Sequence, residues 1–249
     1  KTMSNLKTLL ATLCLGYAMT ATAQQTVTIK GKVKFIEPDF TVKVYQYSGT
    51  DKKVLAEAPV NADHSYTLSV PVEKAGNAVV DCGGWQAVDV WLEDENMDID
   101  FRGLDTAKIK IKNPPYVYIR AGKKNELMNL VNFHAYRSYQ TMIAISQNVY
   151  KAKIEDQKKS QQLAMSLYDA SGEDSDAWMR YLTEHYSDLT SVLVPLAKLD
   201  EEKDADIINA ALAKLESTSA TAKQLVADFR KARAEAKEKR ERMKEGKPA

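Results

Sequence analysis

Cysteine and histidine are scarce in this sequence. Its 249 residues include only Cys14 and Cys82, and only His64, His134 and His185. Two cysteines exclude a small fold that is held together by several disulfides. A structural zinc site takes four Cys or His ligands, so few combinations are open to this chain. The sequence therefore predicts no metal site.

Motifs of common enzyme chemistry are also missing. The sequence contains no Gly-x-Ser-x-Gly nucleophile turn and no glycine-rich phosphate loop. Carboxylates are plentiful, but no pair of them stands out as an acid and a base. The formal net charge of +1 gives the chain no overall basic character, so nucleic acid is not an expected partner. We predict no catalytic residue and no cofactor within the chain.

The first 23 residues have the three parts of a secretory signal. Two Lys give a positive start, an apolar run extends over residues 9–18, and Ala21-Thr22-Ala23 supplies small residues at the exit. The run is shorter than the ~20 residues of a membrane-spanning helix. We expect cleavage after Ala23 and export to the periplasm or the cell envelope, with a buried N-terminal helix as the alternative. Cleavage would remove Cys14 and leave Cys82 alone.

Residues 24–120 alternate between apolar and polar side chains. One such run is Tyr66, Leu68 and Val70 with Ser and Thr between them, and another is Ile109 and Ile111 between lysines. A period of two is typical of half-buried strands, and turns rich in Gly, Pro, Asn and Asp separate the runs. Seven or eight short strands at this spacing predict an antiparallel β-sandwich or an open barrel.

Residues 121–217 have the period of a helix instead. Helices are predicted over residues 123–153 and 158–169, with shorter ones around 189–196 and 207–215. Ser171-Gly172-Glu173-Asp174 predicts the cap of a further helix, because a Ser followed by acidic residues is typical of helix N-termini. Helices that follow a run of strands make the predicted fold class α+β.

Residues 218–249 form the predicted last helix, and their charge differs from that of the rest of the chain. Residues 230–247 hold nine Lys or Arg and four Glu, a net charge of +5. Loss of the signal takes the whole chain from +1 to −1, so the remaining residues carry −6. The apolar stripe of this helix fades after Ala236, which predicts a charged connecting helix that leaves the protein body. A basic helix that binds an acidic surface is the alternative.

Cys82 is the first candidate for chemistry, in the segment Cys82-Gly83-Gly84-Trp85. A dithiol site needs a second cysteine to resolve the mixed disulfide, and the fourth position here is Trp85. A lone cysteine is a nucleophile where a neighbour lowers its pKa. The position at a strand end favours a small, buried, apolar role.

An acidic cluster runs from Glu93 to Asp100. Asp94-x-Asn96-x-Asp98 begins like a calcium loop, but that loop needs Gly at its sixth position and Glu at its twelfth, where this chain has Ile99 and Asp105. The alternation of Met97, Ile99 and Phe101 favours an exposed strand face for Asp98 and Asp100 instead.

Aromatic residues of the strands supply the one candidate ligand surface. Trp85 and Trp91, together with nearby tyrosines, would line a sugar- or peptide-binding face of the sheet, and an aromatic core is the alternative. The three histidines are far apart in sequence, and His134 and His185 have the helical spacing of packing residues.

The order of these parts resembles the N-terminal region of exported bacterial thioredoxin-like proteins of the TlpA/ResA type (AhpC/TSA-like). The strand Thr28-Ile29-Lys30-Gly31-Lys32-Val33, the segment 92–99 and the helix opening Lys124-Asn125-Glu126-Leu127 carry the resemblance, which covers nearly the whole chain. In that family, a β-rich domain of unknown function and a helical segment precede the thioredoxin module. Gly246-Lys247-Pro248-Ala249 matches the first four positions of the Gly-x-Pro-Ala-Pro-x-Phe sequence with which that module opens.

The resemblance implies a role for the chain rather than an active site within it. The family acts through a Trp-Cys-x-x-Cys pair in the thioredoxin module, which reduces or exchanges disulfides of exported proteins. No position in residues 1–249 matches that pair, so neither Cys14 nor Cys82 takes its role. We expect the non-catalytic N-terminal part of a periplasmic thiol–disulfide oxidoreductase. Its expected partners are a C-terminal thioredoxin-like module and exported disulfide-containing proteins, with peripheral or no membrane contact. The alternative is a self-contained exported glycan- or peptide-binding module.

Overall fold

Strands come first and helices follow in the computed structural model, which describes residues 25–48, 51–104, 115–152 and 156–244. The predicted α+β class is thereby confirmed. The proposed signal (residues 1–23), the alternating segment around Ile109 and the tetrapeptide 246–249 lie outside the described residues. The strands are β1 (Gln25–Phe35), β2 (Thr41–Ser48), β3 (Asp51–Pro59), β4 (Ser65–Val72), β5 (Gly76–Cys82), β6 (Gln86–Leu92), β7 (Met97–Ile99), β8 (Phe101–Gly103) and β9 (Ile119–Arg120).

These strands form two open sheets. The first has the order β4-β1-β7-β9, with β8 also paired to β1, and the second has the order β3-β2-β5-β6. The second sheet is antiparallel throughout. In the first sheet, β1 pairs antiparallel with β4 but parallel with β7 and β8, so that sheet is mixed. Neither sheet closes into a barrel.

Inward side chains of both sheets meet in one apolar core. Val27, Ile29 and Val33 of β1 are buried, as are Tyr66 and Leu68 of β4, which matches the alternation expected from the sequence. Val42, Val44, Val80, Val88 and Val90 join them from the second sheet. The core continues into the helices through Leu127, Met128, Leu182 and Leu196, so strands and helices pack as one body.

Gly31 allows the close approach of β1 to β7. A Cβ built at this position would lie 1.8 Å from the carbonyl oxygen of Ile99, which no side chain can tolerate without a backbone shift. The same carbonyl accepts a hydrogen bond of 2.7 Å from the hydroxyl of the buried Tyr66. The absence of a side chain at Gly31 is therefore a requirement of the mixed sheet.

The helical region begins directly after β9. It comprises α1 (Lys123–Ile145) with a π-helical turn (Ser146–Tyr150), α2 (Gln157–His185), a 3₁₀ turn (Thr190–Val192), α3 (Leu193–Leu196), α4 (Ala205–Glu216) and α5 (Ala220–Lys244). The helix predicted around residues 207–215 is α4, and its buried residues are Ile208, Ala211, Leu212 and Leu215.

The predicted helix cap at residues 171–174 is wrong. Helix α2 runs without interruption through Gly172 from its true N-terminal cap, Asp156, whose carboxylate accepts a 2.9 Å hydrogen bond from the backbone N–H of Lys158. Glycine inside a helix costs about 1 kcal/mol relative to Ala. Packing against α1 offsets that cost, and Arg137 of α1 pairs with Asp174 at 2.6 Å within the same stretch. Tertiary contacts therefore override the local signal.

Candidate functional site

Cys82 is a core residue without accessible thiol chemistry. It ends β5, has no exposed surface and is free of a disulfide. Burial, with a smaller contribution from the charge of Asp81, raises the pKa of its thiol to about 12. Since the thiolate is the form that attacks a disulfide, this side chain stays inactive near neutral pH. Of the two roles considered for Cys82, the structure supports the apolar one.

Trp85 and Trp91 do not form the shared ligand face that the sequence suggested. Trp85 lies in the turn before β6 and is half-buried, whereas Trp91 lies near the far end of β6 and is 3% exposed. Six residues of strand separate them by about 20 Å. The helical region covers the outer side of β6 at Trp91. The indole N–H of Trp91 donates a hydrogen bond to the carboxylate of Glu93 at 2.8 Å. This ring is therefore a core residue.

The acidic cluster between Glu93 and Asp100 serves the fold. Arg120 of β9 pairs with Asp98 at 2.5 Å and with Asp100 at 2.8 Å. Asp100 also accepts a hydrogen bond of 2.8 Å from the backbone N–H of Lys32. Within the described ranges, no three His, Cys, Asp or Glu side chains are grouped so that they would hold a metal ion. The strand-face interpretation of Asp98 and Asp100 thus agrees with their contacts.

Glu95 caps helix α1 from a distance in the sequence. Its carboxylate accepts hydrogen bonds from the backbone N–H groups of Lys124 at 2.9 Å and Asn125 at 3.0 Å. A carboxylate at this end also interacts favourably with the helix dipole. Gly122, the residue before the helix, provides no side-chain cap of its own. The loop between β6 and β7 therefore sets the start of α1.

Glu93 connects the sandwich to two parts of the helical region. One carboxylate oxygen lies 2.8 Å from Nζ of Lys124 in α1. The other accepts hydrogen bonds from the indole of Trp91 and from the hydroxyl of Thr190 in the 3₁₀ turn. The side chains of Glu93 and Lys124 are 14% and 17% exposed, so this pair is largely shielded from solvent and salt.

Three asparagines of α1 bond to backbone groups of the strands, a role that the sequence pattern did not predict. Asn125 accepts from the N–H of Trp91 at 2.8 Å and donates to its carbonyl at 3.0 Å. Asn129 does the same at Ile119, at 2.9 Å and 2.8 Å. Each amide thus pairs with one strand as a neighbouring strand would, Asn125 on the second sheet and Asn129 on the first. Asn132 adds a bond of 2.8 Å to the carbonyl of Asp89. Their spacing of four and three residues, on one helix face, was the available signal.

The three histidines are not brought together. His64 lies in the turn before β4, where its Nδ1 is 2.8 Å from the carbonyl oxygen of Val33. His134 is buried and stacks on Trp178 with the ring centroids 5.7 Å apart. His185 is exposed and stacks on Tyr181 at 3.9 Å. His134 packs in the interior, as its helical spacing predicted, whereas His185 is an exposed ring at the end of α2.

Helix α5 is buried only in its first part, and ion pairs link its middle to the loop before α4. Arg233 donates to Glu201 at 2.9 Å and to the carbonyl of Leu199 at 3.1 Å. Arg240, two turns further on, is 3.7 Å from the same Glu201 carboxylate. Residues 234–244 are all exposed, and the acidic loop before α4 supplies the shared partner of Arg233 and Arg240. Charge complementarity thus replaces apolar contact along this stretch.

Comparison of the chain with models of protein families, with curated proteins and with solved structures gives no significant match. Within the described ranges, no helix combines the length and the apolar character needed to cross a membrane.

The contacts above serve capping, ion pairing and sheet completion. They hold a two-sheet body and five helices in one arrangement.

Proposed function

We propose that this chain is the accessory, non-catalytic part of an exported thioredoxin-like thiol–disulfide oxidoreductase. It holds a C-terminal redox module, or a partner of that module, in position. The resemblance of the sequence and the order of strands followed by helices support this proposal. The inert thiol of Cys82 agrees with it, because the redox pair then belongs to the module.

The observation that carries the proposal is the attachment of α5 at three separate places. Lys74, in the turn between β4 and β5, pairs with Asp228 at 2.6 Å. Arg230 pairs with Glu216 of α4 at 3.0 Å, and Arg233 pairs with Glu201 at 2.9 Å. Leu225 and Val226 are buried beside these pairs. A helix held in this way gives a defined orientation to whatever is joined to its C-terminal end.

The redox step itself would take place on the module. A thiolate attacks a disulfide of the exported substrate, a mixed disulfide forms, and the second thiol of the pair releases the product and takes up the new disulfide. The residues described above would contribute by placing that module, and not by electron transfer.

Two measurements test the proposal. The reading frame beyond Ala249 should encode Cys-x-x-Cys within about a hundred residues, the size of one small domain. Residues 24–249 alone should reduce insulin in the presence of dithiothreitol no faster than buffer does. A frame that lacks the pair would refute the proposal, and so would reductase activity that Cys82→Ser abolishes.

The attachment of α5 has its own test in the longer protein. Glu201→Gln removes the shared partner of Arg233 and Arg240, and Glu241→Gln is the matched control on α5 itself. We expect faster amide hydrogen exchange over residues 232–244 for Glu201→Gln only, together with a changed rate of disulfide exchange. Equal exchange in both variants would mean that Glu201 does not hold the helix.

A further inference from the structure

A groove beside α1 has the size and the lining of a ligand site. It lies between the segment that leads into β9, helix α1 and the turn after α2, and it encloses about 810 Å³. Sites for small molecules in proteins have volumes of ~300–1,000 Å³. We name it the aromatic groove and define it by Tyr116, Tyr118, Lys123, Glu126, Phe133 and Asp188.

The aromatic rings of this groove are exposed and yet held in place. Tyr118 is 46% exposed and Phe133 is 47% exposed, although rings of this size are normally buried. The hydroxyl of Tyr118 donates to the carboxylate of Glu126 at 2.8 Å. Phe133 meets Tyr116 edge to face with the centroids 5.6 Å apart, and the Tyr116 hydroxyl donates to the carbonyl of Asn129 at 2.8 Å. These contacts fix two open apolar surfaces without covering them.

The polar groups of the groove carry both signs of charge. Glu126 and Asp188 supply carboxylates, and Lys123 supplies an ammonium group. Asp188 and Lys123 form no ion pair with any of the described residues. The groove therefore offers strong acceptors and a strong donor beside exposed rings, with little net charge.

This combination selects among ligand classes. A purely apolar ligand would cover charged groups without giving them hydrogen bonds, which is costly. An organic cation would be attracted by the rings and the carboxylates, but Lys123 opposes it. A pyranose ring has an apolar C–H face that can lie on an aromatic ring. Its rim of hydroxyl groups donates to carboxylates and accepts from an ammonium group, so it matches both kinds of surface.

We propose that the aromatic groove binds a neutral oligosaccharide, with sugar rings lying on Tyr118 and Phe133 and hydroxyl groups bonded to Asp188 and Lys123. The site is separate from Trp85 and Trp91 and from the attachment of α5. It does not depend on the redox role proposed above, and the two proposals can fail independently.

The test uses residues 24–249 and a panel of neutral trisaccharides of glucose, mannose, galactose and N-acetylglucosamine at millimolar concentration. Binding is followed by saturation-transfer NMR and by the chemical shifts of the aromatic rings. Tyr118→Ala and Phe133→Ala remove exposed rings of the groove. Tyr139→Ala is the matched control, since Tyr139 is also on α1 and is 53% exposed but does not line the groove.

At least one trisaccharide should bind, and each groove variant should weaken its affinity about tenfold, whereas Tyr139→Ala should leave it within about twofold. Asp188→Asn, which keeps the size of the side chain, should also weaken binding, so the proposal does not depend on a ring variant that fails to fold. Added salt should change the affinity little, because the ligand is neutral.

Three results would overturn the proposal: no binding of any trisaccharide in the panel, equal binding by the groove variants and the control, or binding that the groove variants keep and salt abolishes. Binding of tetramethylammonium in place of the sugars would also reject it, because the groove would then be a cation site.

Discussion

The amides of Asn125 and Asn129 should be the polar contacts between α1 and the strands that contribute most to stability, and Asn125 is the clearer case. Its side chain is fully buried and makes three hydrogen bonds, two to the backbone of Trp91 and one to Glu95. The backbone N–H and C=O of Trp91 both bond to that amide. Asn125→Ala should therefore leave a buried N–H and a buried C=O unsatisfied.

The expected loss follows from the number of unpaired groups. A buried donor or acceptor that loses its partner costs about 1–3 kcal/mol, so Asn125→Ala should lower the free energy of unfolding by about 3 kcal/mol. Asn129→Ala should cost about the same, because Asn129 is 4% exposed and bonds both backbone groups of Ile119. Asn132→Ala should cost about 1 kcal/mol or less, since its single bond to Asp89 is open to water.

Urea unfolding followed by circular dichroism gives the three values from the shift of the midpoint at constant slope. Asn132→Ala is the matched control, since it removes the same side chain from the same helix face. A loss below about 1 kcal/mol for Asn125→Ala, equal to that of the control, would refute the reasoning that these amides complete the sheet edges.

The remaining predictions concern single residues. A pKa of about 12 leaves about one Cys82 thiol in ten thousand ionised at pH 8, so an aromatic disulfide reagent should label it only after unfolding, and rapid labelling of the folded chain would contradict this. Burial and the charge of Arg137 lower the pKa of His134. The unfolded chain then binds this proton more readily, so stability should fall as the pH drops below about 6.5, and His134→Gln should show a smaller loss in urea titrations at pH 7 and 5. Gly31→Ala should cost about 3 kcal/mol or more in thermal unfolding, since its Cβ meets Ile99, whereas Gly172→Ala, with open space around it in α2, should stabilise by about 1 kcal/mol. Equal effects of the two alanines would show that β1 and β7 are not so close.

The parts of the fold that could be predicted are those in which the local period and the hydropathy of the side chains agree on which residues are buried. Val27, Ile29 and Val33 are buried because strand period and hydropathy agree, and Leu212 and Leu215 of α4 are buried for the same reason. Glu95 could not be recognised as the cap of α1, because its two backbone partners are about thirty residues away. Polar residues of a helix are commonly solvated, so Asn125 and Asn129 gave no apolar signal, although their backbone partners are buried. The helix cap predicted around Gly172 was wrong because the local turn preference of glycine was weaker than the packing of α2 on α1.

Strand β1 has a consequence for the order in which the chain can acquire structure. It is the first strand among the described residues, and yet it lies between β4 and β7 in its sheet, with β9 beyond β7. Its parallel partners begin at Met97, some seventy residues after it. The first sheet therefore cannot be completed until Arg120 has been synthesised, and pairing over such separations is slow. Until then, a ribosome-bound or translocating chain would leave the β7 side of β1 unpaired. Such a delay suits a protein that crosses a membrane before it folds, as the proposed export requires.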